Sequence, residues 1–190
     1  MGRRGPDAAP VAGRSAVRAF VTLGVAALGV ALATAAAPPS AAAQQAVTVA
    51  PEATVPLPEG TPAARGRILV PLHSTVMAGG GRTRLNFSGV LSVHNPSDRD
   101  PLVIDAVEYR DHAGRLVERS LPRPVALKPF ASLQVVIPQE DVRGGFGASF
   151  VVDWSSPAPI EEPVVEAVMV AVHGTQGFSF VSPGRRVARP

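Results

Sequence analysis

Leu85 to Arg110 reads LNFSGVLSVHNPSDRDPLVIDAVEYR, and the fold class turns on this stretch. Leu85, Phe87, Gly89, Leu91 and Val93 alternate with Asn86, Ser88, Ser92 and His94, the period of a strand with one face in a core and one largely in water. Asn95-Pro96-Ser97-Asp98 ends that strand, because these residues favour turn geometry and proline gives no ladder donor. The apolar pattern resumes with Leu102 and Ile104 on one parity and continues with Val107 and Tyr109 on the other. A period of two survives this change only if one residue is inserted, so the sequence predicts a β-bulge near Asp105-Ala106.

Outward from this segment the same grammar recurs. Arg67 to Val76 is a strand before it. After it, Asp111-His112-Ala113-Gly114 turns the chain into a strand over Arg115 to Arg119, with Gly114 free to take the positive φ of a hairpin loop. Leu133, Val135 and Ile137 form a half-buried row, and Ala148, Phe150, Val152 and Trp154 form another. Val164 to Val172 is apolar on both parities apart from Glu166, which predicts a central strand covered on both faces. Phe178 and Phe180 complete the set. No stretch carries a helical period. The expectation is an all-β domain over residues 67–187, an immunoglobulin-like antiparallel β-sandwich of about 7–8 strands, with 188–190 as a tail. A segment of that length buries one core without disulfides.

The N-terminal third reads differently. Ala19 to Ala37 (AFVTLGVAALGVALATAAA) is uncharged, follows four arginines, and precedes Pro38-Pro39-Ser40 and Ala41-Ala42-Ala43. That order matches a signal peptide over 1–43, cut after Ala43 and directing export to the periplasm or the medium. An uncleaved anchor is the alternative, though alanine is a weak membrane former. Residues 44–66 are rich in Ala, Pro, Thr and Val and show no periodic apolar face, so they are expected to form a flexible linker dispensable for folding.

Composition excludes several functions. With no cysteine among 190 residues, disulfides, thiolate metal sites and a lipid anchor at the cleavage position are all ruled out. The chain has 18 basic and 15 acidic residues, but Arg3, Arg4, Arg14, Arg18 and Asp7 precede Ala43; without them 14 face 14. A balanced body lacks the local basic excess that nucleic acid requires.

Candidate sites are few. Ser149, Asp153 and His173 are the residue types of a hydrolytic triad, but Gly147-Ala148-Ser149-Phe150-Val151 lacks the second glycine of a nucleophile elbow. His73, His94, His112 and His173 show no close ligand spacing for zinc or copper. Asn95, Asp98 and Asp100 bring hard oxygen donors to one loop that could hold calcium, against the plainer role of solvated turn residues. Gly144-Gly145-Phe146-Gly147 is a flexible loop with one aromatic side chain, suited to docking a partner or glycan, or a simple connection with Phe146 folded over the core. Glu166 is a carboxylate among apolar neighbours; if buried it needs an arginine or backbone donors, and a structural pair or an edge position accounts for it as well as an acid role does.

Val70-Pro71-Leu72, VLSVHNPSDRDPLVIDAVEYRDHAGRLV (Val90 to Val117), LKPFAS (Leu127 to Ser132), GGFGASFVVDW (Gly144 to Trp154), PVVEAVMV (Pro163 to Val170) and TQGFSFVSPGR (Thr175 to Arg185) together resemble one bacterial family, domain of unknown function 3124. The resemblance implies an exported domain and brings no activity, cofactor or site residue with it. The sequence therefore points to a non-catalytic exported module that binds a protein or glycan of the envelope, with no membrane span in the mature chain. A metal-dependent factor or hydrolase using the scattered histidines and carboxylates is the alternative.

Overall fold

The computed structural model describes residues 45–188, so the leader expected over 1–43 and the end of the tail lie outside the described residues. Fourteen strands follow in order: β1 (Ala46–Thr48), β2 (Thr54–Val55), β3 (Ala64–Leu72), β4 (Thr75–Ala78), β5 (Thr83–Asn86), β6 (Ser88–His94), β7 (Leu102–Arg110), β8 (Leu116–Arg119), β9 (Val125–Leu127), β10 (Ser132–Ile137), β11 (Ala148–Ser156), β12 (Val164–His173), β13 (Gln176–Pro183) and β14 (Arg185–Val187). One sheet has the order β1-β10-β6-β12-β13 and the other β14-β3-β11-β7-β9-β2, with β8 added on β7 and β4-β5 a separate hairpin. Every pairing is antiparallel. The result is an all-β sandwich.

The core lies between the two sheets. Leu91 and Val93 of β6, Leu133, Val135 and Ile137 of β10, and Val165, Ala167 and Met169 of β12 meet Ile68, Val70 and Leu72 of β3, Phe150, Val152 and Trp154 of β11, and Ile104, Val107 and Tyr109 of β7. The alternation read from Leu85 to Val93 holds, but Phe87 breaks the run, so β5 pairs with β4 while β6 joins the five-stranded sheet. The bulge appears where expected. Asp153 opposes Ala106 and Trp154 opposes Ile104, leaving Asp105 as the inserted residue and letting Ile104 and Val107 both face the core.

Three readings need correction. Residues 45–66 are not a free linker: β1 adds to β10, β2 adds to β9, β3 already begins at Ala64, and Val47 and Val49 pack on the core. β1 and β2 are three and two residues long, too short for periodicity to register. The β12 strand is not covered on both faces, because Val164, Val170 and Val172 of its outward parity are exposed, Val172 at 64%. The strand count exceeds 7–8 because short edge strands such as β2 and β14 are recruited by neighbours rather than by their own pattern.

Candidate binding surface

The Gly144–Gly147 loop enters β11 through a short 3-10 turn, Gly145–Gly147. It is knit into the fold: the Ser74 hydroxyl donates to the Gly145 carbonyl at 2.8 Å, and the His112 N–H donates to the Gly144 carbonyl at 3.1 Å. Gly144 packs against the Tyr109 hydroxyl with no room for a Cβ, and burial raises the Tyr109 pKa above the ordinary phenol value. Phe146 projects outward, 54% exposed, with the Arg84 guanidinium 5.3 Å from its ring centroid. It does not fold over the core, and the loop is held at its Gly144–Gly145 end.

The remaining candidates do not converge. Asn95 is 1% exposed, and its side-chain amide donates to the carbonyls of Asp100 and Lys128 while its oxygen accepts from the Ser97 N–H. It clasps the β6–β7 turn to the β9–β10 corner, which spends the oxygen a calcium ion would need. Asp98 is exposed and lies 3.6 Å from Arg99. His94 is exposed at the end of β6. Glu166 is half-buried on the outward face of β12, opposite Ser92 of β6 and Pro183 of β13, with no arginine paired to it among the described residues. Ser149 and Asp153 lie on β11 while His173 ends β12 in the other sheet. Among the described residues, no three His, Asp or Glu side chains are grouped to hold a metal.

Arginine–carboxylate pairs organise the seven-stranded sheet. Arg67 grips Asp153 through two bonds of 2.8 Å, Arg110 and Arg119 flank Glu108, and Arg143 bridges Asp141 and Glu118. Burial pushes the Asp111 carboxyl up, but the N–H groups of Arg115 and Ala113 and the Arg115 guanidinium outweigh it and hold the carboxyl below its usual value. These pairs satisfy one another's charge.

One run of exposed apolar side chains lies on the five-stranded sheet. Val168 opposes Val181 and Val170 opposes Ser179 across β12–β13, with Val172 and Phe178 further along the hairpin. Phe180 turns toward the core end, with ring centroids 5.3 Å from Phe87 and 5.8 Å from His73, yet remains partly exposed, and Val181 is 55% exposed. At the sheet edges β1 has three residues, β2 two, and β14 three, including Arg185 and Arg186. By contrast β13 runs eight residues, Gln176–Pro183, without a charged side chain. The sequence places Phe178 and Phe180 on the last strand of the set; the edge position of that strand, which pairing alone reveals, leaves both 37% exposed although they share the inward parity of Ala171 and Met169.

Fold and surface together define an antiparallel β-sandwich with an open, uncharged sheet edge. The family model described as protein of unknown function (DUF3124) matches residues 65–187, well over half of the chain, and the chain belongs to that family. No curated protein matches it. A solved structure described as "Crystal Structure of Thermotoga maritima 1070" aligns with 63% of this chain and 92% of its own at 12% identity, with a TM-score of 0.36. Among the described residues no helix is long and apolar enough to cross a membrane.

Proposed function

We propose that this chain is an exported, non-catalytic β-sandwich module that binds an envelope or extracellular partner by adding an extended partner segment to β13. The observation that supports this reading is the unprotected edge. Natural sheets shield long edges with charges, prolines, bulges or short strands, since unpaired N–H and C=O groups recruit other chains. The other edges carry such protection, whereas β13 is long and uncharged, with Val181 beside Val168 on its outward face and Phe178 and Phe180, still 37% exposed, on the opposite face beside Ala171 and Met169. An added strand would take main-chain hydrogen bonds for affinity and apolar side chains for selection.

The test is a photo-crosslinking residue at Ser179, compared with the same residue at exposed Leu116, in the native host. A discrete adduct from position 179 and not from 116, lost in Val181→Lys at unchanged melting temperature, supports edge pairing. Equal yields at the two positions, or an adduct indifferent to Val181→Lys, would sink it. Stoichiometric zinc or copper in the purified protein would count against the non-catalytic part of the reading.

A further inference from the structure

The other sheet carries a recess with different chemistry. Leu57 to Pro62, the segment after β2, lines one side of a cavity of about 200 Å3, opposite Val103 and Asp105 of β7 and Ser155 of β11. Cavities for drug-sized ligands run to roughly 300–1,000 Å3, so this one suits a molecule of few heavy atoms.

Its one inner anion is unusual in this sheet. Glu108, Glu118 and Asp153, the other acids of β7, β8 and β11, are each held by arginine, whereas among the described residues Asp105 accepts only the Ser155 hydroxyl, at 3.0 Å. The bulge produces this: as the inserted residue, Asp105 has no partner on β11, which re-aims its side chain. Pro58, Pro62, Pro124 and Pro157 line the cavity and have no N–H to offer the carboxylate. Glu59 adds a second negative charge, and no Lys, Arg or His lines the space. Arg65, opposite Ser155 on β3, and Arg123, next to Pro124, stand nearby without pairing to Asp105. A partly buried carboxylate facing apolar, donor-poor walls is stabilised by a ligand that brings its own positive donor.

We propose that this cavity binds a small alkylammonium, with Asp105 taking the charged end and Leu57, Pro62 and Val103 covering the methylene stem. A bare divalent cation fits poorly, since it requires six or so oxygens. This site is independent of the β13 edge and survives or fails separately from the function proposed above.

The experiment titrates the isotopically labelled full chain with cadaverine, with 1,5-pentanediol as neutral isostere and glutarate as anion, following amide shifts. Cadaverine should perturb Asp105 and Ser155 saturably across the millimolar range, and the diol and diacid should not. Asp105→Asn should weaken binding by about tenfold or more, the worth of a charge-assisted hydrogen bond. Because that change sits in a bulge, exposed Glu59→Lys supplies a second variant, expected to weaken cadaverine severalfold without touching the fold. Nα-acetyl-lysine methylamide distinguishes sources: preference for it assigns the site to a lysine of a partner protein, and preference for cadaverine to a free amine. Equal shifts from the diol, absence of saturation, or indifference to both variants overturns the proposal.

Discussion

Trp154 lies 3% exposed at the end of the inner row of β11, beneath Gly66 of β3. The fit is tight: a Cβ at Gly66 would lie 2.7 Å from the indole Nε1 and 2.8 Å from Cε2. Trp154→Ala should cost roughly 3 to 5 kcal/mol in denaturant melts, the usual loss for a large buried aromatic. Gly66→Ala tests the same contact from the other side and should cost about 1–3 kcal/mol through overpacking. Stability unchanged by both would remove Trp154 from the core. Its native fluorescence should be blue-shifted and move red on unfolding, and it is the only tryptophan. Asp111 makes a prediction in pH. Its folded pKa is depressed, so its contribution is present above the ordinary carboxylate value of 3.8 and is lost as pH falls through the lower folded value. Asp111→Asn should therefore be less stable than wild type at neutral pH, and the gap should close in acid melts below that value. A gap constant with pH would contradict the depressed pKa.

At the scale of elements, the decisive pieces are those whose pairing their own sequence does not announce. Residues 45–63 hold β1 and β2, and Gln45 accepts a hydrogen bond from the Ser120 hydroxyl while Lys128 reaches the Glu52 carbonyl. Removing this segment strips Val47 and Val49 from the core and uncovers β10 and β9. The melting temperature should fall by more than about 5 °C, equivalent to about 1 kcal/mol or more for a domain of this size. An unchanged melt would return the segment to the status of a linker. The bulge at Asp105 was legible because parity must be conserved along a buried strand. The loop at Gly144–Gly147 was legible as a loop but not as a rigid one, since Ser74 and His112, its anchors, lie far away in sequence. The openness of β12 is not legible in its sequence, because apolar residues on both parities look alike whether a second layer covers them or not.

For the whole molecule, export predicts a mature N-terminus near Gln44; N-terminal sequencing that finds Met1, or a residue past Pro62, would contradict the signal reading. Local rules sufficed for what local physics controls. Two-residue alternation, turn residues and one parity shift determined an all-β sandwich, its inner rows and its bulge, because side-chain direction along a strand follows from backbone geometry alone. The tertiary structure alone decided which strand became an edge, which carboxylates met arginines and which loop was pinned. Those outcomes depend on strand order and on partners many residues apart: Arg67 and Asp153 are 86 residues apart, and β13, which carries Phe178, ends its sheet among the described residues. A periodic pattern records which face of a strand is apolar, but not what the rest of the chain lays against it.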